Sequence, residues 1–151
     1  MPDAIGRVHH VGLTVKDVEA SLEWYGRMFG VEPVFVTKAE GDELATAVGV
    51  PGAKLTFAFL RFGETDVELL SYDNDRDETF GRRNCDVGSP HLCILVDDIE
   101  ASYQDLKAKG VEFFAEPLHI EGGPLDGCSF VYFRDPDGIT LELFEEAKAK
   151  P

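Results

Sequence analysis

A histidine recurs in one setting twice, 81 positions apart. The first copy reads His10-Val-Gly-Leu-Thr-Val15-Lys-Asp17, the second His91-Leu-Cys-Ile-Leu-Val96-Asp-Asp98. Each histidine opens an apolar run, each run ends in Val and acidic residues, and each is followed by helical spacing. After Asp17 come Val18, Leu22, Tyr25 and Phe29, stopped by Gly30; after Asp98 come Ile99, Tyr103 and Leu106, stopped by Gly110. Aspartate is a good helix N-cap and glycine a good C-terminal stop, so the punctuation repeats with the pattern. Further matches join Gly30-Val31 to Gly110-Val111 and Val67-Glu68-Leu69 to Leu141-Glu142-Leu143. The chain reads as one supersecondary unit written twice.

Within the first unit the pattern predicts a strand at 8–15, a helix, a strand at 32–37, a short helix within 40–49, and strands at 54–62 and 67–72. Gly63 to Asp66 reads as the turn between the last two. Residues 73–90 are polar and charged and read as a surface linker. The second unit predicts strands at 91–96, 111–114, 128–133 and 139–145, with a loop over 116–127. Asp135-Pro-Asp-Gly138 has the form of a type I turn. At 151 residues the expectation is a single domain, 1–151, with modules at about 7–73 and 88–146.

The chain carries 29 acidic against 14 basic residues, a net charge of −15. Such a surface repels phosphate backbones, which argues against nucleic acid and anionic membranes as partners. No apolar run reaches bilayer length and the N-terminus lacks the form of a signal peptide, so the expected location is the cytoplasm. Cys85, Cys93 and Cys128 are odd in number and contain no C-x-x-C pair, which favours reduced thiols over a disulfide framework. Cys93 would share the face of His91, and a small buried thiol is its expected role.

Four residues stand at matching places: His10 and His91 on the first strands, Glu68 and Glu142 on the last. Each glutamate lies between apolar neighbours, so alternation turns it to the face opposite the core. A carboxylate there must be solvated, paired or bound to a metal. Two imidazoles and two carboxylates neutralise a divalent cation, and mixed N/O donors suit Zn, Ni, Co, Mn or Fe rather than Ca. A lone strand histidine is most often structural, but four such residues at matching places are improbable as accidents. By the same alternation His9 points away from His10 and has a packing or capping role. His119, in a Gly/Pro loop, reads as a surface residue.

These residues resemble the vicinal oxygen chelate superfamily, which includes glyoxalase I, methylmalonyl-CoA epimerase, extradiol dioxygenases and bleomycin- and fosfomycin-resistance proteins. The resemblance rests on His10 with Val15-Lys-Asp17, Trp24-Tyr25 before Phe29-Gly30, Val96-Asp97-Asp98, and Asp135-Pro136-Asp137-Gly138 leading to Glu142. It implies an α+β fold of two tandem βαβββ modules forming a cupped mixed sheet with helices on the outer face. It also implies that His10, Glu68, His91 and Glu142 are metal ligands, and it makes a homodimer the expected assembly. Glutathione-using bacterial glyoxalases have Arg four residues after the first histidine and Asn four after the second ligand; here these are Thr14 and Tyr72.

The expected function is a metal-dependent isomerase or lyase that abstracts a proton next to a metal-bound carbonyl, with Glu142 the base and Glu68 its counterpart. The substrate is a small carbonyl compound or an acyl-CoA, the latter needing a basic patch for which Arg61, Arg82, Arg83 and Arg134 are the candidates. The alternatives are a ring-cleaving extradiol dioxygenase using His10, His91 and Glu142, and a protein that sequesters a small molecule.

Overall fold

The computed structural model describes residues 6–76 and 81–148. The chain forms two compact units, Met1–Glu78 and Thr79–Pro151. In the first, β1 (His10–Thr14), α1 (Val18–Phe29), β2 (Pro33–Glu40), α2 (Asp42–Val48), β3 (Lys54–Phe62) and β4 (Thr65–Tyr72) give a four-stranded sheet in the order β1-β4-β3-β2. In the second, β5 (His91–Leu95), α3 (Ile99–Ala108), β6 (Leu118–His119), β7 (Ser129–Arg134) and β8 (Thr140–Glu145) give the order β5-β8-β7-β6. Apart from α2 the two orders are the same. In both, the first strand runs parallel to the last, and the other pairs are antiparallel. The fold is α+β with two βαβββ modules, each with its own mixed sheet. No helix among the described residues is long and apolar enough to cross a membrane.

Strand alternation sorts each sheet into two faces. In the first unit Leu13, Ala58, Leu60, Val67 and Leu69 are buried with Val18 and Tyr25 of α1, which packs on β3 and β4. In the second, Val131, Phe133, Leu141 and Leu143 are buried with Ile99, Tyr103 and Leu106 of α3, which packs on β8. The buried seam of α1 is Val18, Ser21, Tyr25 and Met28, so the predicted Leu22 and Phe29 sit only at its margin.

Asp17, Asp98 and Gly30 cap the helices as the sequence predicts, whereas α3 has its C-cap at Lys109, one residue before Gly110. Asp17 Oδ1 accepts the Ala20 N–H at 2.8 Å, and Asp98 Oδ1 accepts that of Ala101 at 2.9 Å. Gly30 closes α1 with φ of 69°, a left-handed conformation that glycine adopts without strain. A second contact holds the start of α3: Glu145 Oε2, at the end of β8, accepts the Ile99 N–H at 2.7 Å. The helix is thereby tied to the strand that carries Glu142.

Three elements differ from expectation. The turn between β3 and β4 is only Gly63-Glu64, since Phe62 already pairs with Thr65. Residues 111–114 form no strand; Phe113 makes an isolated bridge to Phe133, and Phe114 N–H reaches Tyr132 O at 2.9 Å. Pro117, without an N–H, separates this contact from β6 at Leu118–His119, a strand inside the predicted loop. The expected surface linker lies only partly within the described residues, since 77–80 fall outside them; those described from 81 to 90 are largely exposed.

Candidate metal-binding site

The parallel pairing of first and last strands builds the same arrangement in each unit. In the first, His10 lies opposite Asp66 and Gly12 opposite Glu68. His10 Nε2 approaches Glu68 Oε2 at 3.3 Å. In the second, His91 lies opposite Thr140 and Cys93 opposite Glu142, and His91 Nε2 approaches Glu142 Oε2 at 3.1 Å. Both pairs lie on the sheet face away from the helix. The imidazole side chains are 38% and 46% exposed and the carboxylates 17% and 10%, so each pair offers an accessible nitrogen beside a shielded oxygen.

An aromatic ring backs each histidine. Phe59 pairs with Glu68 across β3–β4 and meets the His10 ring edge-on at 5.2 Å. Tyr132 pairs with Glu142 across β7–β8 and meets the His91 ring edge-on at 5.3 Å. Such T-shaped contacts restrict the imidazole orientation.

The surroundings of the two carboxylates differ. Cys93 and Tyr132 stand opposite Glu142 on the two neighbouring strands. Burial, then the Glu142 charge, pushes the Cys93 thiol up to about 12 and raises the Tyr132 phenol, so both keep their protons. The expectation of a buried Cys93 is wrong: the residue is exposed, because β5 carries it on the same face as His91. Cys128 is the buried cysteine.

His9 also departs from simple alternation. It precedes β1, so the two-residue period does not apply to it. Its Nδ1 lies 2.9 Å from His10 Nδ1, and its ring meets His10 at 5.2 Å and Phe59 at 6.3 Å. One of the two Nδ1 atoms carries the hydrogen. With the hydrogen on His10 Nδ1, His9 is the acceptor and His10 Nε2 keeps its lone pair facing Glu68, the tautomer a metal ligand needs. His119 is exposed as expected, with Nδ1 3.1 Å from Ser129 Oγ.

The donor geometry of each pair fits a divalent ion. Two donors bonded at about 2.0–2.2 Å and near a right angle stand about 3 Å apart, close to the 3.3 and 3.1 Å separations. Among the described residues no group of three or more His, Cys, Asp or Glu side chains comes together in metal-binding geometry.

His9, Tyr132 and Cys93 are the neighbours that sequence reasoning did not assign to the site. Tyr132 was within reach of it: the Asp135–Gly138 turn pairs Arg134 with Thr140, and counting back places Tyr132 opposite Glu142.

Residues 7–143 match the model of the Glyoxalase/Bleomycin resistance protein/Dioxygenase superfamily. The chain is 35% identical to a 2-epi-5-epi-valiolone epimerase from an Actinomyces species, over 100% of this chain and 85% of that protein. It is 30% identical to human mitochondrial methylmalonyl-CoA epimerase, over 92% of this chain and 73% of the relative. A probable lactoylglutathione lyase of Vibrio cholerae is 29% identical over 95% and 93% of the two chains. A glyoxalase family protein from Bacillus cereus shares the fold, with a TM-score of 0.81, 19% identity, and 97% and 98% of the chains covered. The chain belongs to the Glyoxalase/Bleomycin resistance protein/Dioxygenase superfamily.

Proposed function

We propose that this protein is a divalent-metal-dependent epimerase that inverts a carbon next to a carbonyl in a small, weakly charged ketone. The observation that carries the proposal is the repeated His–Glu pair, at 3.3 Å in one unit and 3.1 Å in the other, on the open face of each sheet. His10, Glu68, His91 and Glu142 are the proposed ligands of one ion per chain. Their summed charge balances a divalent cation, and four protein donors leave room in a six-coordinate shell. When bound, the ion supplies Lewis acidity where negative charge develops beside the reacting carbon. A glutamate carboxylate takes the proton from that carbon, and the proton's return on the opposite face gives the epimer. Phe59 and Tyr132 hold the imidazoles in place.

The substrate class follows from charge. Of the four arginines expected to form a patch for an acyl-CoA, two are neutralised by carboxylates and two are tied to main-chain oxygens. Arg61 is paired with Asp66 and Arg83 with Asp86. Arg82 donates to Val87 O at 2.7 Å, and Arg134 donates to Arg82 O and stacks on Phe114. With a net charge of −15, this favours an uncharged ketone over a polyanionic thioester. Between the two epimerase relatives, the first named is therefore the better guide.

Two measurements test the proposal. Metal analysis should find about one Co, Ni, Zn or Mn ion per chain. In deuterium oxide, 2-epi-5-epi-valiolone should gain deuterium next to its carbonyl faster than methylmalonyl-CoA does. Redox-active iron with oxygen uptake would establish the dioxygenase instead, and a metal-free protein that binds without exchange would establish sequestration.

A further inference from the structure

The repeat ends unevenly at its outer strands. In the first unit β2 spans eight residues, and its Phe35 stands opposite Phe59, the ring that backs His10. In the second unit β6 has two residues, paired with Phe130 and Ser129, and neither stands beside Tyr132. Phe57, Phe35 and Phe59 thus form a row of rings that reaches His10. The centroids are 6.0 Å apart for Phe57 and Phe35, 5.0 Å for Phe35 and Phe59, and 5.2 Å for Phe59 and His10. We infer that Phe35 is a specificity-determining residue, the outer part of an aromatic platform on which the carbon ring of a cyclic ketone lies while its carbonyl reaches the His10–Glu68 pair. This narrows the substrate of the metal-dependent epimerase proposed above, on which it rests, to a cyclic ketone.

Strand register places the row on the face of the pair. Phe59 is opposite Glu68 and Phe57 opposite Leu70, so both rings share that face. Phe35 opposite Phe59 and Thr37 opposite Phe57 carry it onto β2. Across Phe35, Thr37, Phe57, Phe59 and Leu70 the face bears no charge, and the cation beside it, Arg61, is held by Asp66. Phe35 is fixed by edge contacts to two rings yet is 42% exposed, and exposed aromatic surface is costly in water. Val36 is as exposed, at 45%, but stands opposite Ala58 on the other face, away from the pair. Continuity with His10 sets Phe35 apart. An uncharged row of rings recognises a C–H-rich surface. A saturated ring offers one rigid face of C–H bonds, whereas an open chain of the same carbon count must lose rotor freedom to lie flat.

Kinetics and direct contact test this separately. In deuterium exchange into the cyclic ketone 2-epi-5-epi-valiolone, Phe35→Ala should raise KM about 10-fold and lower kcat less than about 3-fold, which is lost binding rather than lost chemistry. Phe35→Leu should behave like Phe35→Ala, Phe35→Tyr should recover most of the loss, and Val36→Ala should keep the wild-type KM. A KM unmoved by Phe35→Ala, or raised equally by Val36→Ala, overturns the platform while leaving the epimerase standing. In NMR of the protein with Zn(II) present, saturation of phenylalanine ring protons should transfer more to cyclohexanone than to open-chain butyl methyl ketone, and the transfer should fall in Phe35→Ala. Equal transfer to both ketones, or transfer indifferent to Phe35→Ala, overturns the inference. Wild-type protein that exchanges no ketone would end the epimerase reading, and the ring contact with cyclohexanone would still decide the role of Phe35.

Discussion

His91 Nε2 lies 3.1 Å from Glu142 Oε2, although His91 is opposite Thr140 in the β5–β8 ladder and Glu142 is opposite Cys93. The pair therefore reaches across two residues of strand, with Cys93 on the same face of β5 as His91. His10, Gly12 and Glu68 repeat the arrangement at 3.3 Å with no thiol. The reach is set by the parallel register of first and last strands, and each pair is held by its own sheet.

Metal should stabilise the protein as well as activate it. A ligand that binds only the folded state at about 100 times its Kd adds about 2.7 kcal/mol. Thermal unfolding should thus move up on adding Co(II) or Zn(II) and return with a chelator. His10→Ala, Glu68→Ala, His91→Ala and Glu142→Ala should each shrink the shift, whereas His119→Ala should leave it unchanged.

Cysteine labelling separates exposure from reactivity. Cys85 and Cys93 are both exposed, but the Cys93 thiol is pushed up to about 12 by burial and Glu142, and the thiolate is the nucleophile. Iodoacetamide at pH 8 should alkylate Cys85 well before Cys93. Peptide mass spectrometry against time reads the order, and Glu142→Gln should speed labelling of Cys93.

Glu145 accepts the Ile99 N–H at 2.7 Å at the start of α3. Glu145→Ala should destabilise the fold by about 1 kcal/mol, within the range for losing a helix cap. Asp98→Ala, which removes the bond to Ala101, should cost about the same. Urea unfolding curves with an unchanged slope would measure both; no shift in midpoint for Glu145→Ala would mean the contact contributes nothing.

Arg61 holds the Asp66 carboxyl below its ordinary value of 3.8, first through their side-chain hydrogen bond. A carboxylate with a depressed folded pKa stabilises the protein above its unfolded pKa, and that contribution is lost as pH falls through the folded value. Arg61→Gln should raise the Asp66 titration toward 3.8 and move acid unfolding to slightly higher pH. Carboxyl 13C chemical shifts followed against pH would show it.

Much of this architecture is legible before folding is considered. Asp17, Asp98 and Gly30 mark helix ends because capping is local chemistry within a few residues. The face of Glu68 and Glu142 follows from the two-residue period, and Tyr132 follows from the register of a short hairpin. Where long-range pairing decides, legibility ends. Residues 111–114 contain strand formers, yet Pro117 and a single bridge to Phe133 leave the actual strand at Leu118–His119.

The sequence by itself determined the duplication, the helix boundaries and the four side chains that recur in it, since each depends on spacing along the chain. Only the tertiary structure decided what those side chains meet. Parallel β1–β4 and β5–β8 pairing joins residues more than forty positions apart, and no local period encodes that register. It sets His10 beside Glu68 and His91 beside Glu142, and puts Cys93 where the first unit has Gly12. The repeat thus becomes two like pairs with unlike carboxylates.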